Sequence, residues 1–128
     1  MDHSPGFLRL AEDARSRVHE ITPQEAHARL ASGDAVHLID VREDHEWNDG
    51  HAHGAAHLGR GIIERDIERK IPDMNAEIIL YCGGGYRSAM AADNLQRIGY
   101  TNVHSMSGGW KRWKAEELPV EINESARA

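Results

Sequence analysis

The sequence predicts an α/β domain built on a mostly parallel sheet. Short apolar segments alternate along the chain with segments whose apolar residues recur every three or four positions. The 128 residues, of which 40% are hydrophobic and 28% charged, suffice for one globular domain with its own core. Because the carboxyl ends of parallel strands meet at one edge of such a sheet, we expect the reactive groups to lie there.

The first twenty residues are predicted to form a helix. Ser4 is a suitable N-cap, with Pro5 at the first helical position. One face of this helix carries the apolar residues Phe7, Leu10, Ala11, Ala14 and Val18. We expect this face to cover the body of the domain rather than to form a dimer contact.

The rest of the chain alternates between predicted helices and strands. A capping box, Thr22-Pro23-Gln24-Glu25, begins a second helix that Gly33 ends. The predicted strands are short apolar runs at residues 37–41, 55–58, 77–81 and 102–106. Further helices are predicted at residues 43–48, 62–71 and 88–98. A last helix follows Gly108-Gly109 and carries Trp110 and Trp113, which we expect to pack in the core.

Composition excludes several classes of function. The net charge of −6 argues against nucleic acid or an anionic membrane surface as the main partner. A single cysteine excludes an internal disulfide and a zinc site made of four thiolates. No apolar run approaches the length of a membrane span, and the segment Met1 to Pro5 does not resemble a secretory signal. We therefore expect a cytoplasmic protein, and no pattern predicts a cofactor.

The most informative segment surrounds Cys82. An apolar run ends at this cysteine, and Gly83, Gly84 and Gly85 separate it from the next predicted helix. Glycines allow such a loop to turn its backbone N–H groups inward, and the helix N-terminus behind it adds a favourable dipole. This environment favours thiolate over thiol and stabilises an anion on the sulfur. The segment therefore predicts a covalent reaction at Cys82.

Three residues after the glycines complete the predicted site. Arg87 supplies a permanent positive charge, although a surface salt bridge is the alternative for it. Ser88 is predicted as the N-cap of the helix, with a hydroxyl able to face the loop. Tyr86 either lines the mouth of the pocket or packs outward. Because the loop contains no His or Asp, activation of the thiol would depend on backbone dipoles and Arg87.

The motifs, taken in order, resemble those of a single-domain rhodanese, which is a sulfurtransferase. They are Leu38-Ile39-Asp40-Val41-Arg42, Gly50-His51 with Gly54-Ala55, Tyr81 to Ser88, Gly99 to Val103, and Gly108-Gly109-Trp110 with Trp113. One departure is Ala52-His53, where the family usually has Ile-Pro. The motifs cover most of residues 21–120, so we expect a helical extension at residues 1–19 and a rhodanese-like domain at residues 20–122.

The resemblance implies a three-layer fold with a five-stranded, mostly parallel sheet. It implies that Cys82 takes a sulfur from a small anionic donor such as thiosulfate, or from a protein persulfide. Cyanide or a thiol would then remove the sulfur from the Cys82 persulfide, which the amides of Gly83 to Ser88 would hold. We expect a monomer or a weak homodimer, with no resident metal.

Several polar residues are weighed as supporting groups. Asp40 and Arg42 follow a predicted strand, and we expect Asp40 to accept backbone N–H bonds while Arg42 connects neighbouring loops. Arg60 is either a cationic wall for thiosulfate or an ordinary solvated arginine. A further group contains His51, His53 and His57, for which a loop or supporting role is favoured over zinc binding.

Three alternative functions remain open at this stage. A phosphatase or an arsenate reductase also uses a cysteine and an arginine around an anion. Tyrosine-type phosphatases place five residues between the two, whereas four separate Cys82 from Arg87, which leaves less room for a phosphoryl group. The others are a non-catalytic binding module and a redox sensor with an oxidisable thiolate.

Overall fold

The computed structural model describes residues 3–33 and 35–122, so the first two residues of the predicted N-terminal helix lie outside it. Within the described part, the helices are α1 (Pro5–Arg15), α2 (Pro23–Ala31), α3 (Asp44–Asp49), α4 (Ile63–Lys70), α5 (Tyr86–Ile98) and α6 (Gly109–Ala115). The strands are β1 (His19–Ile21), β2 (Val36–Asp40), β3 (His51–Ala52), β4 (Ala56–His57), β5 (Glu77–Tyr81), β6 (Val103–Met106) and β7 (Val120–Glu121).

Five of these strands form a central sheet in the order β1-β6-β5-β2-β4, and every adjacent pair is parallel. Strands β3 and β7 pair antiparallel in a small separate sheet. The prediction of an α/β fold with a mostly parallel five-stranded sheet is therefore confirmed. Only four of the five central strands were located from the sequence, because β1 was included in the predicted first helix.

Both faces of the sheet are covered, which gives three layers. Alternate residues of β5 point to opposite faces, as the period of two in a strand requires. Ile78 and Leu80 pack in one core cluster with α4 and α5. Ile79 and Tyr81 pack in a second cluster that includes Ala26 of α2 and Trp113 of α6. With both faces buried, β5 reads as a continuous apolar run, which explains why its bounds match the prediction.

The N-terminal segment differs from the prediction. Helix α1 ends at Arg15, and β1 follows it as an edge strand whose His19 pairs in register with His104 of β6. Val18 therefore lies beyond the helix, and Leu10 is exposed rather than buried. The helical pattern was extended too far because a three-residue strand leaves almost no periodicity, and its pairing partner is distant in the sequence.

Helix α1 nevertheless covers the body of the domain, as expected. Ala11 and Ala14 are buried, and Arg17, just after the helix, donates two hydrogen bonds to Asp93 of α5. The side chain of Gln96 also donates to the carbonyl oxygen of Arg17. The predicted boundary between residues 19 and 20 falls inside β1, so the extension and the sheet share this strand.

Several helix ends follow from local sequence. Thr22 and Glu25 form the predicted capping box at the start of α2, and Gly33 adopts a φ of 82° after its end. By contrast, Ser88 is not the N-cap of α5, so that prediction is wrong. Gly85 takes the N-cap position with a φ of 100°, which only glycine adopts easily, and α5 begins two residues early at Tyr86.

Two further observations complete the fold. Trp113 is fully buried, as predicted, whereas Trp110 is half-buried beside Arg42. Among the residues that the structure describes, no helix has the length and apolar character needed to span a bilayer.

Candidate active site

Cys82 follows the last residue of β5, at the carboxyl edge of the central sheet. Its side chain is only 1% exposed and lies among residues of the core cluster that packs against α4 and α5. The run of three glycines leaves the loop itself without side chains that could cover the thiol. The burial comes from apolar side chains of other segments, among them Val41, Leu58 and Ile63.

Two backbone N–H groups point at the sulfur. The Cys82 Sγ atom accepts from the N–H of Gly85 at 3.1 Å and from the N–H of Ser88 at 3.4 Å. Both donors belong to the start of α5, where backbone N–H groups have no partner within the helix. The positive φ of Gly85 turns the chain so that the helix begins directly behind the sulfur. This arrangement stabilises negative charge on Sγ.

A pair of buried hydroxyl groups lies behind the sulfur. Ser88 Oγ is 3.6 Å from Cys82 Sγ and 2.8 Å from Ser105 Oγ of β6, and both serines are fully buried. When the Ser105 hydroxyl donates to Ser88, the Ser88 hydroxyl is oriented to donate to a sulfur anion. Ser105 was not predicted as a site residue, because only the pairing of β6 with β5 brings it beside Cys82.

The start of α6 supports the other side of the loop. Trp110 N–H donates to the carbonyl oxygen of Cys82 at 2.8 Å, and Lys111 N–H donates to that of Gly83 at 3.2 Å. Gly109, with a φ of 52°, allows this approach, because a Cβ atom there would overlap the Cys82 carbonyl oxygen. The two carbonyl groups therefore point away from the sulfur and towards α6, which leaves the N–H groups facing it.

Arg87 forms a two-pronged ion pair with Glu46 of α3. Its Nη1 and Nη2 atoms donate to the two carboxylate oxygens at 2.8 Å and 3.1 Å. The hydrogen-bonded guanidinium lowers the pKa of Glu46 from its ordinary 4.5 to about 2, so the pair is charged at neutral pH. Arg87 also lies against the loop, since its Nη2 atom would be 3.2 Å from a Cβ atom on Gly83. Its charge is thus shared between Glu46 and the loop.

Tyr86 packs outward from the loop against the N-terminal segment. Its ring lies 3.9 Å from the position of a Cβ atom on Gly84, which is itself exposed. The ring centroid is 4.7 Å from that of His3 and 5.9 Å from that of Phe7. Of the two predicted positions for Tyr86, the structure shows the outward one, with the ring at the outer edge of the loop.

Asp40 and Arg42 form a buried ion pair beside the site rather than in it. Asp40 accepts the backbone N–H of Arg42 at 2.9 Å and its Nη2 at 2.8 Å, and Arg42 Nη2 also donates to the Gly50 carbonyl at 2.6 Å. The Arg42 guanidinium lies 4.9 Å from the centre of the Trp110 ring. The pair therefore connects the end of β2 to the turn after α3 and to α6.

The side chain of Arg60 points away from Cys82, towards Glu64 and a cleft between α1 and α5. Its Nη1 atom pairs with Glu64 at 3.1 Å, and its side chain lines a cleft between α1 and α5 that Met90 and Asn94 also line. Its backbone N–H donates to the Val41 carbonyl. The described contacts of this side chain are thus with α4 and the cleft, and they do not bring its charge to Cys82.

The three histidines weighed for metal binding have other contacts. His51 and His53 both contact the carboxylate of Glu121, at 2.9 Å and 2.8 Å, while His57 Nε2 is 2.8 Å from the Arg42 carbonyl oxygen. The described residues include no group of three or more His, Cys, Asp or Glu side chains suited to a metal ion.

Comparison with known proteins agrees with this geometry. A family model described as a rhodanese-like domain matches residues 22–116. Thiosulfate sulfurtransferase GlpE of Haemophilus influenzae is 36% identical over 102 residues, which cover 80% of this chain and 93% of that protein. The comparisons with solved structures add two further similarities.

The first structure is a protein of unknown function from Rhodopseudomonas palustris, described as a possible tyrosine phosphatase. It is 27% identical, with a TM-score of 0.79, and the match covers 94% of this chain and 98% of the other. The second is the polysulfide-sulfur transferase homodimer of Wolinella succinogenes, which matches with a TM-score of 0.79 at 24% identity over 91% of this chain and 88% of the other. At that identity the second similarity shows the fold alone.

Proposed function

Since the chain belongs to the rhodanese-like domain family, we propose that it transfers a sulfane sulfur through a persulfide on Cys82. The donor is thiosulfate or a compound with a similar terminal sulfur, and the acceptor is cyanide or a thiol. The observation that carries the proposal is the pair of N–H groups, from Gly85 and Ser88, directed at the Cys82 sulfur.

In the first step, the Cys82 thiolate attacks the outer sulfur of thiosulfate. A new S–S bond forms on Cys82 while the S–S bond of thiosulfate breaks, and its electron pair leaves with sulfite. In the second step, cyanide or a thiolate attacks the outer sulfur of the persulfide and releases the Cys82 thiolate. The product is thiocyanate or a new persulfide, so the charges balance without an external oxidant. The reaction is covalent catalysis in two displacements.

The N–H donors stabilise the negative charge of both the Cys82 thiolate and the Cys82 persulfide, which each step interconverts. They are fixed by α5 before the donor arrives, so they need not reorganise when charge develops. A donor whose bond strengthens in the transition state contributes about 2.7–4 kcal/mol in related sites. The hydroxyl of Ser88, oriented by Ser105, adds a third donor on the same side of the sulfur.

The alternative of phosphoryl transfer fits this site less well. The loop has four residues between Cys82 and Arg87, which leaves less room for three phosphoryl oxygens than the five residues of tyrosine-type phosphatases. The guanidinium of Arg87 is also held by both oxygens of Glu46, so it presents fewer donors to a tetrahedral anion. These features favour a single sulfur atom as the transferred group.

The first experiment is mass spectrometry of the intact protein after incubation with thiosulfate. We expect the mass to increase by one sulfur atom, and we expect cyanide to remove it with release of thiocyanate. Cys82→Ser should abolish both the adduct and turnover, because the hydroxyl is a far weaker nucleophile at neutral pH. A folded, unmodified wild-type protein with every donor tested would instead indicate a binding module. Hydrolysis of an aryl phosphate without sulfur transfer would indicate the phosphatase.

A further inference from the structure

We propose that His3, Phe7 and Tyr86, here called the aromatic cap, restrict Cys82 to small sulfur donors and acceptors and exclude persulfides carried on other proteins. The inference rests on the proposed sulfur transfer and identifies the class of substrate for it. It depends on how the loop around Cys82 is enclosed, and on which of the surrounding elements faces solvent.

The cap lies directly over the outer face of the loop. Tyr86 covers Gly84, and its ring contacts those of His3 and Phe7, whose centroids are themselves 5.1 Å apart. Gly84 is the exposed residue of the glycine run, so the rings stand at the point where the loop meets solvent. The three aromatic side chains thus contact one another and form one continuous rim.

The remaining sides of the loop are closed by stronger interactions. On one side, α6 donates backbone hydrogen bonds to the carbonyl groups of Cys82 and Gly83. On another side, the ion pair between Arg87 and Glu46 lies against Gly83. Cys82 is only 1% exposed, so a reagent reaches its sulfur only where part of this enclosure opens, and the cap is the part held by ring contacts. Thiosulfate needs only a narrow opening, whereas a protein persulfide is attached to a backbone that would collide with the cap.

Two of the three cap residues lie in the part of the chain that the family match does not include. His3 and Phe7 precede residue 22, where the rhodanese-like match begins. Phe7 lies on α1 and His3 just before it, and this helix is anchored on α5 through buried Ala11 and Ala14 and through the pair of Arg17 and Asp93. Two rings of the rim thus come from outside the segment that the family model matches. None of the described hydrogen bonds to the sulfur comes from His3 or Phe7, so both can be changed separately from the sulfur site.

The test uses the fact that Cys82 is the single cysteine. We would measure its alkylation rate with N-ethylmaleimide and with a maleimide attached to a polyethylene glycol chain. The same two rates would be measured for wild type, Phe7→Ala, His3→Ala and the control Leu10→Ala. Leu10 lies on the same helix but is 64% exposed and outside the cap. Because both reagents carry the same reactive group, the ratio of their rates reports the size of the opening.

We expect Phe7→Ala to raise the rate of the bulky maleimide about tenfold, within the range by which pocket contacts discriminate between ligands of different size. The rate of N-ethylmaleimide should change less than about twofold on the same basis. His3→Ala should act in the same direction, and Leu10→Ala should leave the ratio unchanged. Equal acceleration of both reagents in Phe7→Ala, or a ratio equal to that of Leu10→Ala, would overturn the proposal.

Sulfur transfer is then measured with thiosulfate and with a small carrier protein that bears a persulfide. Phe7→Ala should raise kcat/KM for the carrier protein relative to thiosulfate, and a wild-type enzyme that already prefers the carrier would contradict the cap. Failure of the proposed function has a different signature. In that case the wild-type protein takes up no sulfur from either donor, while the alkylation ratio still reports whether the cap limits access.

Discussion

Helices α5 and α6 begin in the same way but use their first N–H groups differently. Each follows a glycine in the left-handed region, Gly85 with a φ of 100° and Gly108 with a φ of 74°, and neither shows a side-chain cap among the described contacts. At α5 the N–H groups of Gly85 and Ser88 face the Cys82 sulfur. At α6 the N–H groups of Trp110 and Lys111 face the carbonyl oxygens of the same loop.

The difference shows how one local device gives both chemistry and support. The carbonyl groups that α6 binds are permanent partners, so this helix fixes the loop. The sulfur that α5 faces changes between thiolate and, in our proposal, persulfide. A helix N-terminus without a side-chain cap keeps its donors available for such a partner. The two ends also touch, because a Cβ atom on Gly85 would lie 3.3 Å from the backbone nitrogen of Gly108.

The largest effect on stability should come from Gly109→Ala, which disrupts the contact between the start of α6 and the Cys82 loop. The new methyl group would overlap the Cys82 carbonyl oxygen and lie 2.9 Å from the carbonyl carbon of Gly83, at a backbone φ that disfavours alanine. We expect a loss of about 4 kcal/mol in the free energy of unfolding, from overpacking and left-handed strain together. Denaturant unfolding measures this loss.

The matched control for that variant is Gly54→Ala. Gly54 also has a positive φ, of 86°, but no atom lies within 4 Å of its Cβ position. Gly54→Ala should therefore lower the free energy of unfolding by about 1–2 kcal/mol, from left-handed backbone strain alone. Similar losses for the two variants would show that the contact between α6 and the loop contributes little.

The contacts that α5 makes to the sulfur are tested by two serine variants that should destabilise the protein to a similar extent. Ser88→Ala and Ser105→Ala each remove the hydrogen bond between the two hydroxyls and leave the remaining buried hydroxyl without that partner. Each should lower the free energy of unfolding by about 1–3 kcal/mol. Only Ser88→Ala removes the hydroxyl beside the sulfur. We expect it to lower kcat for sulfur transfer about tenfold more than Ser105→Ala does, equivalent to one hydrogen bond of about 1.4 kcal/mol in the transition state. Equal kcat values would show that the hydroxyl has no catalytic role.

The smallest expected effect concerns the ion pair between Arg87, in the first turn of α5, and Glu46 of α3. In Glu46→Gln the amide oxygen can still accept the Glu43 N–H, but the charge opposite Arg87 is lost. We expect a loss of about 1 kcal/mol at pH 7, typical of a partly exposed pair. Because folding lowers the pKa of Glu46 from 4.5 to about 2, the wild-type advantage should be complete above pH 4.5 and decline as the pH falls towards 2.

Unfolding of both proteins across that pH range measures this difference. A gap between wild type and Glu46→Gln that stays constant down to pH 2 would contradict the assignment of the lowered pKa to the Arg87 contact.

The two helix ends also show how much the sequence reveals. The run from Cys82 to Ser88 is local, so the sulfur, the glycine turn and the helix behind it were all predicted from the printed residues. The N-cap was misplaced at Ser88 because serine is the usual capping residue, whereas the left-handed turn at Gly85 begins the helix earlier. The part of the fold missed was the short strands β1, β3 and β7, which depend on pairing with distant partners.

Site residues contributed by other elements were not predictable in the same way. Ser105 reaches the site only through the register of β6 against β5, and Glu46 through the packing of α3. Neither lies in a motif that indicates chemistry. The burial of Cys82 had the same origin, because its side chain packs among core residues of other segments, such as Val41, Leu58 and Ile63. Sequence patterns show what a segment can form, but not which distant segments will enclose it.

Strand β1 has a practical consequence for anyone who shortens this chain. It borders β6 at the edge of the central sheet, through three residues that precede the start of the family match at residue 22. A truncated version trimmed to that match would leave the backbone groups along the outer side of β6 without partners. Bare strand edges of this kind recruit strands from other molecules, so such a fragment is prone to self-association and to precipitation during purification.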